Sequence, residues 1–311
     1  MADMKVNLGG LEMATPVATA SGTFGYGFEY LGATDYSAIG AVTAKGIRVD
    51  PWPGNDAPRH AEVPGGLVNA IGLQGVGVER FVATMVPHYM SRIPNAPPMI
   101  VNIWGGSVEE YAEVARRITE AAATEKCAAI KAIECNVSCP NVKEGGHTFG
   151  QDPEVLRGLV AAVRAKTSLP LIVKLAPNVP DVRPYVKACE DGGADALSMI
   201  NTIPAMVIDI EKRRPVLANG SGGLSGRAVH PVAVKLAYEA HKATKLPILA
   251  MGGVYDAKDA IELLLAGATA VAVGTATFGD PSTAMKVLAG IEEYCERHGF
   301  ASVSDLSGAL Q

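Results

Sequence analysis

The sequence is poor in features that several functional classes need. Aromatic residues make up only 5% of its 311 residues, too few for a platform that stacks nucleic-acid bases. No block of Lys or Arg offsets the formal charge of -5, so no nucleic-acid partner is expected. No apolar run reaches the length of a membrane span, and a membrane partner is not expected either. The start, Met1-Ala2-Asp3-Met4-Lys5, lacks a basic segment leading into an apolar core and does not read as a secretory signal.

Metal-binding and redox spacings are missing too. The five cysteines, Cys127, Cys135, Cys139, Cys189 and Cys295, are odd in number and contain no CxxC pair. A disulfide framework and a structural zinc are both disfavoured, and a reducing cytoplasm is the expected compartment. His60, His88, His147, His230, His241 and His298 form neither HxH nor HExxH, so no metal site is expected. The dinucleotide fingerprint is absent as well: Gly22, Gly25 and Gly27 have the wrong spacing for GxGxxG.

What remains is a chain with 48% hydrophobic residues and a repeating layout. Short apolar runs predict strands at Val17–Ala20, Ala41–Lys45, Met99–Ile103, Ile130–Asn136, Leu171–Leu175, Ala196–Ile200, Ile248–Met251 and Ala270–Val273. Amphipathic stretches between them predict helices at Val78–Ser91, Val108–Ala122, Pro153–Ala165, Val182–Glu190, Val229–Ala243, Ala257–Leu265 and Pro281–Arg297. Ser107 with Glu110, and Asp152 before Pro153, are expected helix starts. Alternation of this kind predicts an α/β fold, a (β/α)8 TIM barrel forming a single domain over residues 1–311. A doubly wound sheet is the alternative. Two long insertions, roughly 46–75 and 202–226, are rich in Gly, Pro and Asn and are expected to be lids or binding loops at the C-terminal face of the strands.

Chemistry in a barrel projects from the C-terminal strand ends. Here those ends carry Ser21, Lys45, Asn102, Asn136, Lys174, Asn201 with Thr202, Gly252-Gly253 and Gly274-Thr275. The last two are glycine turns after neighbouring strands, and their backbone amides suit a phosphate, although plain tight turns need glycine too. Lys45 and Lys174 could form a Schiff base, stabilise an anion or extend to solvent. Period-two alternation puts Glu134 and Asn136 on one face and turns Cys135 to the helix layer, where it packs. Cys127, Cys189 and Cys295 are expected to be structural as well. Cys139 differs: it sits in a polar loop, either as a reactive thiol or as an exposed bystander.

With these residues placed, the chain resembles the catalytic subunit of class 1 dihydroorotate dehydrogenases over nearly its whole length. The motifs are Ala20-Ser21-Gly22-Thr23-Phe24-Gly25, Thr43-Ala44-Lys45-Gly46, Asn69-Ala70-Ile71-Gly72-Leu73-Gln74, Asn136-Val137-Ser138-Cys139-Pro140-Asn141-Val142, Gly222-Gly223-Leu224-Ser225-Gly226, Met251-Gly252-Gly253-Val254 and Val273-Gly274-Thr275-Ala276. The resemblance implies FMN at the barrel mouth, lined by Ser21, Lys45, Gly46, Asn102, Asn136, Lys174, Ile200, Gly226, Gly252, Gly253, Gly274 and Thr275. It implies dihydroorotate bound by Lys45, Asn69, Ala70, Ile71, Gly72, Leu73, Asn136, Asn141, Asn201 and Thr202, with Cys139 as the base.

Thr23-Phe24-Gly25, Gly72-Leu73-Gln74 and the loop from Lys143 to Gly150 look like the NAD-linked type, class 1B. That type implies a homodimeric core joined to an electron-transfer subunit, a heterotetramer in which the partner holds FAD and an iron–sulfur cluster. This chain carries neither a four-cysteine cluster spacing nor a dinucleotide fingerprint, and would depend on that partner. Alternatives are a fumarate-dependent homodimer of class 1A and a dihydropyrimidine dehydrogenase-type reductase. From other classes come a Schiff-base aldolase using Lys174 or Lys45, and a silent ligand-binding barrel.

Overall fold

The computed structural model describes residues 2–137, 143–144 and 147–311. Among these, a parallel eight-stranded sheet is built from β1 (Val17–Thr19), β2 (Val42–Ile47), β3 (Met99–Ile103), β4 (Ile130–Asn136), β5 (Leu171–Lys174), β6 (Ala196–Met199), β7 (Ile248–Met251) and β8 (Ala270–Val273). Neighbours run β1-β8-β7-β6-β5-β4-β3-β2. The ring closes between β1 and β2, where Thr19 N–H donates to the Ala41 carbonyl at 3.1 Å and Ala18 bridges to Ala41. Such strands are covered on both faces, which explains why β7 and β8 read as unbroken apolar runs and are buried throughout.

Helices follow the strands in turn: Val108–Ala122, Pro153–Arg164, Arg183–Asp191, His230–Ala243, Ala257–Leu265 and Thr283–His298. Capping matches the sequence signals. Ser107 Oγ accepts from Glu110 N–H at 3.3 Å, and an Asp152 carboxylate oxygen accepts from Glu154 and Val155 N–H at 2.8 and 3.2 Å. The helix expected over Val78–Ser91 is less regular. It begins at Val78–Arg80, passes through a π segment at Phe81–Met85 and continues as Val86–Arg92. No helix among the described residues is long and apolar enough to cross a membrane.

The two long insertions form one structure. Ile203–Ala205, Gly222–Ser225, Gly66–Asn69 and His60–Val63 pair in that order as a four-stranded antiparallel sheet. The first insertion supplies one half and the second the other, with Gly223 opposite Asn69 at the join. A small apolar cluster of Val68, Ala70 and Leu217 packs this sheet separately from the barrel core.

Candidate active site at the barrel mouth

Inside the barrel, below its C-terminal rim, three strands share a buried polar knot. Glu134 on β4 accepts from Asn102 Nδ2 at 2.5 Å and from Ser198 Oγ at 2.7 Å. All three side chains are buried. In the parallel register Asn102 on β3 faces Glu134, and Ser198 on β6 faces Lys174 of β5. Neither Glu134 nor Ser198 was among the expected site residues. The signal was present in the sequence: a carboxylate in an apolar strand, two positions before Asn136, points to the same interior.

One layer higher sit Asn136 and Lys174, which face each other across the β4–β5 register. Lys174 Nζ donates to Ser21 Oγ at 3.3 Å, tying β5 to the end of β1. The Asn136 carbonyl accepts from Tyr111 Oη at 2.7 Å. Its side-chain Oδ1 accepts from Asn201 Nδ2 at 3.3 Å, and Asn201 Oδ1 takes the Thr202 N–H at 2.8 Å. Asn69 Nδ2 reaches the Gly223 carbonyl at 3.4 Å, so the rim of β4, the end of β6 and the insertion sheet are linked.

Lys45 lies within β2, which runs on to Ile47 rather than ending at the lysine as the sequence pattern suggests. A register irregularity between Ala44 and Ile47 re-aims this stretch. Burial pushes the Lys45 ammonium below the ordinary lysine value, Arg59 lowers it further, and Glu29 opposes the shift. Next to it, a Cβ on Gly46 would stand 3.0 Å from Asn102 Oδ1. The remaining pyrimidine-loop residues lie on the insertion. The Ala70 carbonyl accepts from Asn55 Nδ2 at 3.0 Å, the Ile71 carbonyl accepts from Asn55 N–H at 3.1 Å, and Gly72 and Leu73 turn the chain at φ 74 and 56.

On the far side of the mouth, β7 and β8 pair with Met251 opposite Ala272, so the two glycine turns that follow are neighbours. Gly252 and Gly253 have φ +130 and +71, conformations that side chains with a Cβ rarely adopt. A Cβ on Gly253 would stand 2.9 Å from the Gly226 carbonyl oxygen, and one on Gly252 would stand 3.2 Å from Ile200 Cγ1. Gly226, Ile200 and the β7 turn therefore form one close-packed cradle. Thr275 Oγ1 donates to Ser225 Oγ at 2.7 Å, bringing the β8 turn to the same place.

Two of the expected residues, Cys139 and Asn141, lie outside the described residues. Cys127, Cys135, Cys189 and Cys295 are all buried, and burial pushes each thiol up, away from the thiolate. No group of three or more His, Cys, Asp or Glu able to hold a metal occurs among the described residues. A concavity at the opposite end of the barrel is lined mainly by apolar groups such as Leu11, Met90, Ile93 and Pro94, with Glu12, Asn95 and Lys131 among them.

These residues fit a flavin phosphate ester. Among the described residues, Asn102 Oδ1 is buried with no hydrogen-bond partner, an acceptor open to a further donor. Lys174, Asn136, Asn201 and Ser21 stand at the same rim, and the glycines of the cradle let the backbone turns pack against one another where a Cβ would clash. Such a donor-rich set suits a planar hydrogen-bonding ring carrying an anionic tail.

The sequence matches the family described as Dihydroorotate dehydrogenase over residues 3–295. A protein of Pelobacter propionicus named "Dihydroorotate dehydrogenase B (NAD(+)), catalytic subunit" is 51% identical over 309 residues, covering 99% of this chain and 99% of its own. A protein of Geobacter sp. (strain M21) with the same name is 50% identical over 309 residues, covering 99% and 98%. The crystal structure of DHODH from Eimeria tenella in complex with ferulenol superposes with a TM-score of 0.80 at 24% identity, covering 99% of this chain and 88% of that one. That likeness speaks for the fold.

Proposed function

The chain belongs to the dihydroorotate dehydrogenase family, and from that premise we propose that it oxidises (S)-dihydroorotate to orotate in pyrimidine biosynthesis. The single observation that carries the reading is the linked set Asn136–Asn201–Thr202 beside Lys174 and Ser21, on strand ends facing a glycine cradle. The proposed unit is one FMN-binding barrel domain over residues 1–311, working in the cytoplasm. FMN would be held by Ser21, Lys45, Gly46, Asn102, Asn136, Lys174 and Ile200, with its phosphate at Gly226, Gly252, Gly253, Gly274 and Thr275.

When bound, FMN supplies the acceptor for the hydride leaving C6 of the substrate. The protein supplies the rest. Cys139 takes the proton from C5 as its thiolate, a role for which a positioned base is worth about 10²–10⁴ in rate. Asn69, Asn136, Asn141 and Asn201 pair with imide and carboxylate groups without adding charge. Ala70, Ile71, Gly72, Leu73 and Thr202, which flank strands of the insertion sheet, would line the pyrimidine. Lys45 would offer the substrate carboxylate a cation, and Lys174 would stabilise negative charge on the reduced ring.

Electrons must then leave the chain. The names of the NAD-linked relatives, "catalytic subunit", support a partner. We assign to that partner the FAD and iron–sulfur cluster that this sequence has no spacing to hold, in a heterotetramer around a homodimeric core. A visible spectrum of the purified chain tests the whole reading. A yellow protein whose flavin band bleaches on anaerobic addition of dihydroorotate is the expected result. A colourless chain that cannot be reconstituted with FMN would sink it.

A further inference from the structure

Along the second insertion, exposure alternates residue by residue. Pro204, Met206, Ile208 and Ile210 are exposed, while Ala205, Val207 and Asp209 between them are partly buried. The inner apolar residues, Ala205 and Val207, pack on the insertion cluster of Val68, Ala70 and Leu217. The outer row has no polar member. Met206 is 55% exposed, Ile208 57% and Ile210 79%. An antiparallel segment with one face on a core ordinarily turns polar residues to water on the other. A contiguous apolar strip with a polar rim marks a contact surface instead.

The rim says what covers the strip. Ile208–Asp209 pairs with Arg214–Pro215 as a hairpin, and Val216 N–H donates to the Val207 carbonyl at 2.9 Å. At the tip, Asp209 and Lys212 form an ion pair at 3.0 Å. Glu211, Arg213 and Arg214 are exposed there and make no ion pair among the described residues. One acidic and two basic side chains therefore border the same apolar strip. A twofold axis through the strip would set Glu211 of each copy against the guanidinium groups of the other. The patch is thus complementary to itself in apolar surface and in charge, whereas a partner of one sign would meet a like charge. Pro204 and Pro215 bring no N–H to these strands, which disfavours edge-to-edge pairing and leaves the side-chain face for contact.

We propose that this hairpin face docks on the same face of a second copy of the chain. Met206, Ile208 and Ile210 meet their counterparts across the twofold axis, and Glu211 of one copy pairs with Arg213 and Arg214 of the other. This gives the homodimeric core proposed above a surface, and it rests on that part of the reading alone; neither flavin nor substrate enters it. The hairpin continues directly from Ile203–Ala205, which follows Thr202 and pairs with Gly222–Ser225. A second copy seated here braces the insertion sheet on the side away from its apolar cluster.

Sedimentation velocity of the full chain over a dilution series tests this. The parent should sediment as a dimer. Ile208→Asp combined with Ile210→Asp should raise the dissociation constant by about a hundredfold or more, the loss expected when central apolar contacts become charged. Its far-ultraviolet circular dichroism should stay parental. The tip charges give a second measurement that leaves the packing of the hairpin alone, and it decides the matter if the isoleucine variant fails to fold. Glu211→Arg in one preparation, and Arg213→Glu with Arg214→Glu in another, should each weaken self-association. An equal mixture of the two should recover it, because every charge then meets its opposite. A monomeric parent overturns the proposal and the homodimeric core together. A dimer that survives all of these substitutions overturns the proposal and leaves the core standing. A mixture no tighter than either variant alone overturns the twofold arrangement.

Discussion

Asn201 hands an amide proton to Asn136 Oδ1 across 3.3 Å, joining the ends of β6 and β4 over the barrel interior. Neither residue is near the other in the chain, and each also serves a second partner: the Asn136 carbonyl takes Tyr111 Oη and Asn201 Oδ1 takes the Thr202 N–H. Removing either leaves a buried or half-buried polar group to be satisfied by whatever the mouth contains. The predictions below start from this connected geometry.

Glu134 has two donors aimed at it, Asn102 and Ser198, inside the barrel. Glu134→Ala would strand both and should destabilise the chain by about 2–5 kcal/mol, the range for breaking a buried charged hydrogen-bond set. Glu134→Gln retains shape and most contacts and should cost clearly less. Urea unfolding of the two variants measures the difference; equal losses would mean that the carboxylate's paired acceptor oxygens, not the shape of the side chain, are what matters there.

Lys45 gives a pH dependence with a definite sign. Its folded value is depressed by burial below the ordinary 10.5, so the unfolded chain binds more protons between those two values. Holding the protonated amine in the fold therefore costs stability fully at neutral pH, and the cost disappears as pH rises through the folded value toward 10.5. Lys45→Met should be at least as stable as the parent at pH 7, with the advantage shrinking in alkaline buffer. Orotate, an anion, should raise the melting temperature of the parent more than that of the variant. A thermal-shift series over pH, with and without orotate, checks both.

Cys139→Ser should retain its flavin while flavin reduction by dihydroorotate slows by about 10²–10⁴. Anaerobic single-turnover kinetics reads this directly. Near-parental reduction would take Cys139 out of its proposed role.

Gly223 pairs with Asn69 at the join of the insertion sheet, and a Cβ there would clash with Thr202 Oγ1 at the end of β6. Gly223→Ala must push the two apart. The expected result is a KM for dihydroorotate raised by about tenfold or more, since a small misplacement of a positioning group is costly, with flavin content kept. Loss of flavin with an unchanged KM would place Gly223 on the wrong ligand.

Local periodicity carried a great deal. The runs Met99–Ile103, Ile130–Asn136, Ile248–Met251 and Ala270–Val273 are strands with those same bounds; in the last two a strand buried on both faces leaves an unbroken hydrophobic stretch, and in the first two only a few polar residues interrupt it. The helix Val108–Ala122 likewise has its expected bounds, fixed by its Ser107 cap. Polar strand ends were legible for the same reason: in a barrel they can only point to the rim.

Other features needed residues far apart in sequence to meet. Nothing in residues 46–75 or 202–226 alone says that Gly66–Asn69 will pair with Gly222–Ser225, since antiparallel partners separated by some 150 positions leave no local period to read. Glu134 looked like one more strand residue until Asn102 and Ser198 arrived from β3 and β6 to satisfy it. His230 was one of six scattered histidines, and its place behind Gly252 follows from how a helix start docks on a neighbouring strand. Short-range patterning of apolar and polar residues is written along the chain; which polar groups end up sharing a proton is settled only when the ring of strands closes.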